Sequence, residues 1–235
     1  MLSKNIYRIS TAIVIGTIIF LASNIIPVLN VGIPRSAIVE LSMLLLTLLA
    51  ILILGKGHIS VYGFQLPRNI KWARMIVIAL ALGVFQTLIA VLLGSSGMPE
   101  VNQLNFLQIV LIVLILASVT EEILCRGLIQ SYLSPLNAIK VKWLMFEFDF
   151  PTIIGALFFG AMHITVLISG ADLMTSVIVI IFAFLLGLLA GYNRAQSQSL
   201  VPAIVLHATA NIGGVIGGIL VTMVMVLVTG KPLSL

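Results

Sequence analysis

Eight runs of apolar residues, separated by short polar segments, follow one another along the chain. A helix needs about 20 apolar residues to cross the core of a bilayer. The pattern therefore predicts an all-α, polytopic integral membrane protein with about eight transmembrane helices. The predicted spans are 11–29, 37–54, 72–93, 106–130, 151–169, 173–192, 200–211 and 212–228. The first run is longer than the apolar core of a signal peptide, about 7–15 residues, and we interpret it as a retained helix.

The last two predicted spans are poorly separated. Together they hold about 29 residues, which is short for two helices that each need about 20. Four glycines blur the boundary between them: Gly213, Gly214, Gly217 and Gly218. Seven spans with one broken segment is therefore an open alternative to eight.

The composition narrows the class of protein. Charged residues make up 8% of the 235 residues and hydrophobic residues 61%, whereas a soluble domain is about 25% charged. A nucleic-acid role has no support, because no basic cluster with interleaved aromatic residues is present. The single cysteine, Cys125, excludes an intrachain disulfide, and we interpret it as a small apolar helix residue.

Basic residues fall mostly on one side of the predicted membrane. With the N-terminus in the cytoplasm, ten of them lie in cytoplasmic segments: Lys4, Arg8, Lys56, Arg68, Lys71, Arg74, Lys140, Lys142, Arg194 and Lys231. The external loops carry Arg35 together with Glu40, Glu100 and Asp172. Because Lys and Arg favour cytoplasmic segments, we predict an even number of spans with both termini in the cytoplasm.

Strongly polar side chains lie inside some of the predicted spans, where charges are costly and usually functional. They are Glu121, Glu122 and Arg126 in the fourth span, His163 in the fifth, and His207 with Asn211 in the seventh. Residues four apart share a helix face, and this spacing links Glu122 to Arg126 and His207 to Asn211. Adjacent helical residues diverge by about 100°, so only one of Glu121 and Glu122 can point directly at a shared site.

The depths of three of these residues are compatible with one site. At about 1.5 Å per helical residue, Glu121 is about 14 Å, His163 about 18 Å and His207 about 11 Å from one end of its span. All three fall in the middle third of the bilayer, so we predict a site between helices near mid-membrane. Gly187 and Gly191 are also four apart, and we interpret them as small residues that let helices approach closely.

A carboxylate and two imidazoles can activate water with or without a metal. In the metal-free case, Glu121 takes a proton from water with help from His163, while His207 and Asn211 donate to the developing oxyanion. In the metal case, His163, His207 and Glu121 bind zinc or another divalent metal and leave an open water position. Both cases predict peptide hydrolysis inside the membrane. A proton- or ion-coupled transporter is the alternative from another class.

Three short motifs resemble those of the CAAX protease and bacteriocin-processing family of intramembrane proteases, which includes the type II CAAX prenyl endopeptidases. The motifs are Glu-Glu-Ile-Leu-Cys-Arg at 121–126, Phe-Gly-Ala-Met-His at 159–163 and His-Ala-Thr-Ala-Asn at 207–211. Segment 191–203 also resembles the family's approach to the third motif. The resemblance covers about 120–214, which we take as the core of a single transmembrane protease domain over 1–235.

The resemblance implies a role for each motif residue. Glu121 is the catalytic glutamate that activates water together with His163, and Glu122, Arg126 and Phe159 are supporting residues. In the third motif, the histidine and the asparagine stabilise the oxyanion, or the histidine joins that of the second motif as a metal ligand. Descriptions of the family differ on metal dependence, so the metal remains open.

The resemblance also implies a substrate class and a location. Members related to prenyl endopeptidases cleave prenylated C-terminal peptides, so the expected partners are membrane lipid and a peptide or prenylated protein. An apolar cavity open to the cytoplasmic leaflet would suit a prenyl chain. We expect a multi-pass protein of a prokaryotic plasma membrane. A non-catalytic immunity or scaffolding protein of the same fold is the remaining alternative.

Overall fold

The computed structural model of the protein describes residues 2–25, 32–143 and 146–229. The helices are α1 (Leu2–Ile25), α2 (Arg35–Gly55), α3 (Trp72–Leu92), α4 (Pro99–Asn102), α5 (Phe106–Gln130), α6 (Phe150–Met162), α7 (Thr165–Ile168), α8 (Leu173–Ser197) and α9 (Val201–Thr229). Short 3₁₀ turns lie at Ile59–Tyr62 and Ser134–Leu136. Strands β1 (Lys140–Trp143) and β2 (Phe146–Asp149) pair in an antiparallel hairpin.

Seven helical segments among the described residues are long and apolar enough to cross a membrane. They are α1, α2, α3, α5, α6 with α7, α8 and α9. The predicted all-α, polytopic membrane architecture is confirmed, and the span count is close to the predicted eight. The first predicted span ends in 26–31, which lies outside the described residues.

The last two predicted spans form one helix, α9, of 29 residues. Three of its four glycines, Gly213, Gly214 and Gly217, face α3 instead of marking a boundary between helices. A side chain at Gly213 would collide with the backbone of Leu80, and one at Gly83 of α3 would collide with the carbonyl of Ala210. Small residues let membrane helices approach this closely, and a break in the helix is not needed to explain them.

One end of the bundle is rich in basic residues and is held together by contacts between its loops. The amide of Leu200 donates to the carbonyl of Gly63 at 2.9 Å, and Arg194 donates to the hydroxyl of Ser131 at 3.1 Å. The Arg8 guanidinium lies 5.8 Å from the ring centre of Tyr132. We call this the basic end; it comprises the start of α1 and the connections 56–71, 131–143 with 146–149, and 198–200, with the adjoining helical turns.

The opposite end comprises the connections 32–34, 93–105 and 169–172, with the adjoining helical turns. Asp172 ties two of these together, because its carboxylate accepts from the backbone amide of Ser96 at 2.9 Å and from that of Thr175, in the first turn of α8, at 2.8 Å. Hydrogen bonds from the Ser96 and Thr175 hydroxyls, with those from the two amides, hold the pKa of Asp172 well below its usual range.

Because the number of spans among the described residues is odd, the described chain starts and finishes on opposite sides of the predicted membrane. Helix α9 starts at the basic end and runs alongside α3, so it finishes at the opposite end from the start of α1. The predicted even count, with both termini on one side, is not met by this arrangement. Lys231 lies outside the described residues.

Candidate active site

Helix α5 carries both motif glutamates, and its winding changes around them. Ser118–Glu122 is α-helical, whereas Ile109–Ala117 and Ile123–Gln130 are π-helical. π-Helical turns are rare and frequently accompany functional sites. The second change of winding follows directly after Glu122, and every residue from Ile123 to Gln130 is buried.

Glu122 is wholly buried and holds two partners through one oxygen. Its Oε1 accepts a hydrogen bond from Arg126 at 2.9 Å and lies 3.0 Å from Nδ1 of His207. Arg126 is also wholly buried, so the ion pair is shielded from solvent. Because a carboxylate only accepts hydrogen bonds, the Nδ1 proton of His207 faces Glu122.

Glu121 lies beside the other nitrogen of the same imidazole. Its Oε2 is 3.8 Å from Nε2 of His207, which is too long for a direct hydrogen bond. The side chain of Glu121 is 14% exposed, whereas that of Glu122 is 0% exposed. The two adjacent glutamates therefore diverge as the helical geometry predicts, with Glu122 turned into the bundle and Glu121 facing a cavity.

His163 is placed by the end of α6. It is the C-terminal cap of this helix, and its Nδ1 lies 2.8 Å from the carbonyl of Phe159. A carbonyl oxygen requires the proton on Nδ1, so in the neutral ring Nε2 is the nitrogen free to accept. The predicted spacing of four between Phe159 and His163 thus has a direct physical meaning.

The ring of Phe159 joins the three motifs. It makes edge contacts with the imidazoles of His163 and His207, with ring centres 4.8 and 5.4 Å apart. The Arg126 guanidinium stacks over the same ring at 4.6 Å, in the geometry of a cation–π contact. Phe159 is 1% exposed, so it packs the two histidines in place.

Asn211 ties α9 to α5 in the described arrangement. Its Nδ2 donates to the carbonyl of Val113 at 3.1 Å and lies 3.3 Å from the hydroxyl of Ser118. The carbonyl it reaches belongs to the first π-helical segment. Both amide protons therefore have protein acceptors, although Asn211 also lines the cavity beside Glu121.

Two adjoining cavities meet at Glu121 and His163. The inner cavity, of about 200 Å³, is also lined by His207, Asn211 and apolar side chains of α3, α5 and α8. A second cavity, the vestibule, has about 180 Å³ and is lined by Asn24, Arg35 and Glu100, and it shares Ser36 and Glu40 with the inner cavity as well as Glu121 and His163. Together the cavities form a route from polar surroundings to an apolar interior.

Glu40 is a further carboxylate at this site, and it was expected in an external loop. The structure places it inside α2, on the wall of both cavities, near enough to Glu121 for electrostatic interaction. Its Oε2 is buried without a hydrogen-bond partner among the described residues. An acidic residue within the second apolar run was the sequence signal that could have identified it.

The three residues predicted as metal ligands, His163, His207 and Glu121, do not form a recognisable metal-binding group among the described residues. In the part of the chain that the structure describes, no three His, Cys, Asp or Glu side chains are placed to hold a metal ion. Glu121 approaches Nε2 of His207, while Nδ1 of His163 lies against the Phe159 carbonyl. Zinc or another divalent metal remains an untested prediction for these residues.

Gly187 and Gly191 provide the close helix approach that their spacing suggested. A Cβ at Gly187 would lie 2.9 Å from the Cα of Ala156 and 3.0 Å from a nitrogen of Arg126, and one at Gly191 would lie 2.9 Å from Thr152. Gly187 thus also leaves room for the guanidinium that supports Glu122. Cys125 is wholly buried, with its sulfur 3.9 Å from that of Met162, as expected of a small apolar residue.

Comparison with known proteins identifies the segment of the chain that carries the three motifs. No curated protein and no solved structure matches significantly. The family model described as type II CAAX prenyl endopeptidase Rce1-like matches residues 103–213. This stretch is just under half of the chain and contains all three motifs, together with the contacts among Glu121, Glu122 and His207. The resemblance is therefore confirmed: residues 103–213 of this multi-pass membrane protein match the Rce1-like type of the CAAX protease family.

Proposed function

We propose that this protein is an intramembrane endopeptidase in which Glu121 activates the attacking water. One observation carries this proposal: the Glu121 carboxylate faces the cavity beside Nε2 of His207, while Nδ1 of that ring is held from behind by buried Glu122. A reactive carboxylate and a fixed imidazole on one cavity wall are the groups that peptide hydrolysis requires. The family match supports a CAAX-type protease at this site.

The first step is attack by water on the peptide carbonyl. Water donates one proton to Glu121 and its other hydrogen bond to the free Nε2 of His163, which directs the oxygen at the carbon. As the new C–O bond forms, Glu121 becomes neutral and the carbonyl oxygen becomes an oxyanion. The C–N bond then breaks as the proton held by Glu121 passes to the leaving nitrogen, which releases an amine and a carboxylic acid. The second proton of the water, which is hydrogen-bonded to Nε2 of His163, is then lost to solvent, so that a carboxylate remains.

His207 stabilises the oxyanion as an imidazolium. Its Nδ1 proton is held by Glu122, and a proton on Nε2 then points at the developing charge. With His207 protonated, the group of Glu121, Glu122, Arg126 and His207 has no net charge, which lowers the cost of placing it at membrane depth. Asn211 holds α9 against α5, and it becomes an oxyanion donor when one of its protons is released from Val113 or Ser118.

The substrate is a membrane-associated peptide, with a prenylated C-terminal peptide as the first compound to test. The apolar walls of the inner cavity suit an apolar group next to the scissile bond. Purified protein in detergent would be mixed with a fluorogenic farnesylated C-a-a-X peptide and with unprenylated apolar peptides. Cleavage by the wild type and its loss in Glu121→Gln are expected.

Glu147→Gln is the matched control, because Glu147 is an exposed carboxylate in the hairpin and contacts only Lys140, at 3.7 Å, among the ion pairs of the described residues. This variant should cleave like the wild type. Equal cleavage by Glu121→Gln, with both variants folded, would refute the proposal. Absence of any cleavage by folded wild type would favour the transport or non-catalytic alternatives, which flux measurements in liposomes would separate.

A chelator distinguishes the two ways of activating water. The metal-free route predicts that cleavage survives extended dialysis against a strong chelator. Loss of activity on chelation, restored by zinc, would instead assign His163, His207 and Glu121 as ligands. Unfolding temperature measured on the same samples separates loss of a reacting group from loss of the fold.

A further inference from the structure

The active site is reached from one end of the bundle. The vestibule that contains Glu121 and His163 adjoins a cavity of about 430 Å³ with which it shares Arg35, Ser36 and Glu100. Arg35 and Glu100 are exposed, and all three residues belong to the opposite end of the bundle. A continuous series of cavities therefore leads from that end to the catalytic glutamate.

The basic end has two cavities of its own, one of which extends as far as Leu206, next to His207. One, of about 300 Å³, is lined by Gln65, Asn137 and Arg194 among others, and another, of about 240 Å³, is lined by Lys71 and Tyr192 among others. Neither is lined by any of the motif residues Glu121, His163, His207 and Asn211.

Along α5, buried side chains lie between Glu121 and Gln130, which lines the cavity of about 300 Å³. Arg126, Leu124 and Ile129 are all 0% exposed. Below them, the amide nitrogen of Gln130 donates to Thr152 and to the Gly191 carbonyl at 2.9 and 3.0 Å. Along α5, buried residues therefore occupy the stretch between Glu121 and the 300 Å³ cavity of the basic end.

The charge distribution identifies which end faces the cytoplasm. Nine of the twelve Lys and Arg residues lie at the basic end: Lys4, Arg8, Lys56, Arg68, Lys71, Arg74, Lys140, Lys142 and Arg194. Arg35 lies at the opposite end and Arg126 in the interior. Because basic residues concentrate on the cytoplasmic side, the basic end is cytoplasmic and the vestibule opens on the other side of the membrane.

We propose that the peptide substrate reaches Glu121 from the non-cytoplasmic side of the membrane, through the vestibule bounded by Arg35 and Glu100. That the molecule taking this route is a peptide substrate rests on the proposed function, whereas the route itself does not. The substrate class is a membrane-associated peptide whose cleavage region is exposed outside the cytoplasm. Its polar part lies in the vestibule, and an apolar part lies in the inner cavity against Leu82 and Phe182. The two cavities at the basic end are not lined by Glu121.

Thiol labelling tests the route without any need for catalysis. In a Cys125→Ser background, three single-cysteine variants would be made: Glu100→Cys at the opposite end, Asn137→Cys at the basic end and His163→Cys in the site. Intact cells and inside-out vesicles would be treated with a small, charged, membrane-impermeant thiol reagent. Asn137 is exposed and serves as the matched control for Glu100.

Glu100→Cys and His163→Cys are expected to react in intact cells, and Asn137→Cys only in inside-out vesicles. In a double variant that carries both Glu100→Cys and His163→Cys, a bulky maleimide would first be attached at position 100. This block should abolish labelling of the thiol at position 163. Labelling of His163→Cys only from the cytoplasmic side, or from neither side before detergent is added, would overturn the proposal. Glu40→Cys replaces His163→Cys should the latter fail to fold.

A peptide-cleavage assay on the same variants distinguishes failure of the proposed route from failure of the proposed function. Blocking Glu100→Cys with the bulky maleimide should abolish cleavage of an externally added peptide, whereas blocking Asn137→Cys should leave it unchanged. Outside labelling of the site without cleavage of any peptide would support the route and count against the protease. Cleavage that persists after the Glu100→Cys block would count against the route and support the protease.

Discussion

Oε1 of Glu122 and Nδ1 of His207 lie 3.0 Å apart, although 85 positions separate the two residues in the sequence. The contact joins α5 to α9 and is shielded from solvent on both sides. It fixes which nitrogen of the imidazole faces the cavity. The same carboxylate oxygen accepts from Arg126, so the orientation of His207 depends on a buried ion pair outside the cavity.

Glu122→Gln should lower the turnover of peptide by about 100-fold or more, as removal of the carboxylate behind a catalytic imidazole does elsewhere. The glutamine can still accept from Arg126, but it provides no charge to hold His207 as an imidazolium. KM should change little, because Glu122 does not line the cavities. Steady-state kinetics against Glu147→Gln would check this, and an unchanged turnover number would remove Glu122 from the mechanism.

The buried ion pair predicts a non-additive effect on stability. Arg126→Met leaves the Glu122 carboxylate buried without its partner, which costs about 3–5 kcal/mol in comparable sites. The double variant Glu122→Gln with Arg126→Met should lose less than the sum of the two single variants, because neither charge is then stranded. Unfolding of the four proteins in one detergent measures the coupling, and strict additivity would mean that the two residues do not act as a pair.

Gly187→Ala should destabilise the protein and weaken activity. The new methyl group would meet the Ala156 backbone at 2.9 Å and Arg126 at 3.0 Å, and overpacking typically costs about 1–3 kcal/mol. Gly218→Ala is the matched control, because no atom lies within 4 Å of the position a Cβ would take there. Thermal unfolding of both variants tests this, and equal stability of the two would show that the α6–α8 contact tolerates the extra volume.

The cap of α8 predicts a stability change in acid. Hydrogen bonds from Ser96 and Thr175 lower the pKa of Asp172 in the folded protein. The stabilisation is therefore complete above the unfolded pKa of about 3.9, and it is lost as the pH falls through the lower folded value. The difference in unfolding temperature between wild type and Asp172→Asn should be constant from neutral pH down to about pH 5 and shrink below about pH 4. A difference that does not change with pH would show that the Asp172 charge does not contribute.

The sequence was sufficient to predict which polar residues pair within each helix, because spacing determines which residues share a helix face. The pairs Glu122 with Arg126 and Phe159 with His163 are four apart, and each pair is in contact in the structure. The divergence of Glu121 from Glu122 was likewise predictable from helical geometry. Depth along each span also predicted that Glu121 and His207 could meet, and Oε2 of Glu121 lies 3.8 Å from Nε2 of His207 in the structure.

Features that depend on packing between helices were not predictable in the same way. The glycines of α9 resembled a boundary between spans, but Gly213 instead gives room for the backbone of α3. Glu40 was placed outside the membrane because its run of apolar residues begins only three positions earlier, at 37. The side from which the site opens depends on how α2, α4 and α5 meet, and no single motif contains that information.

Isotope incorporation during cleavage tests the central claim most directly. Wild type and Glu121→Gln would be incubated with a cleavable peptide in water enriched in ¹⁸O, and the products would be analysed by mass spectrometry. The proposal predicts one ¹⁸O in each new carboxylate formed by the wild type, and no product from Glu121→Gln. Labelled product formed by Glu121→Gln at the wild-type rate would contradict the assignment of Glu121 as the residue that activates water.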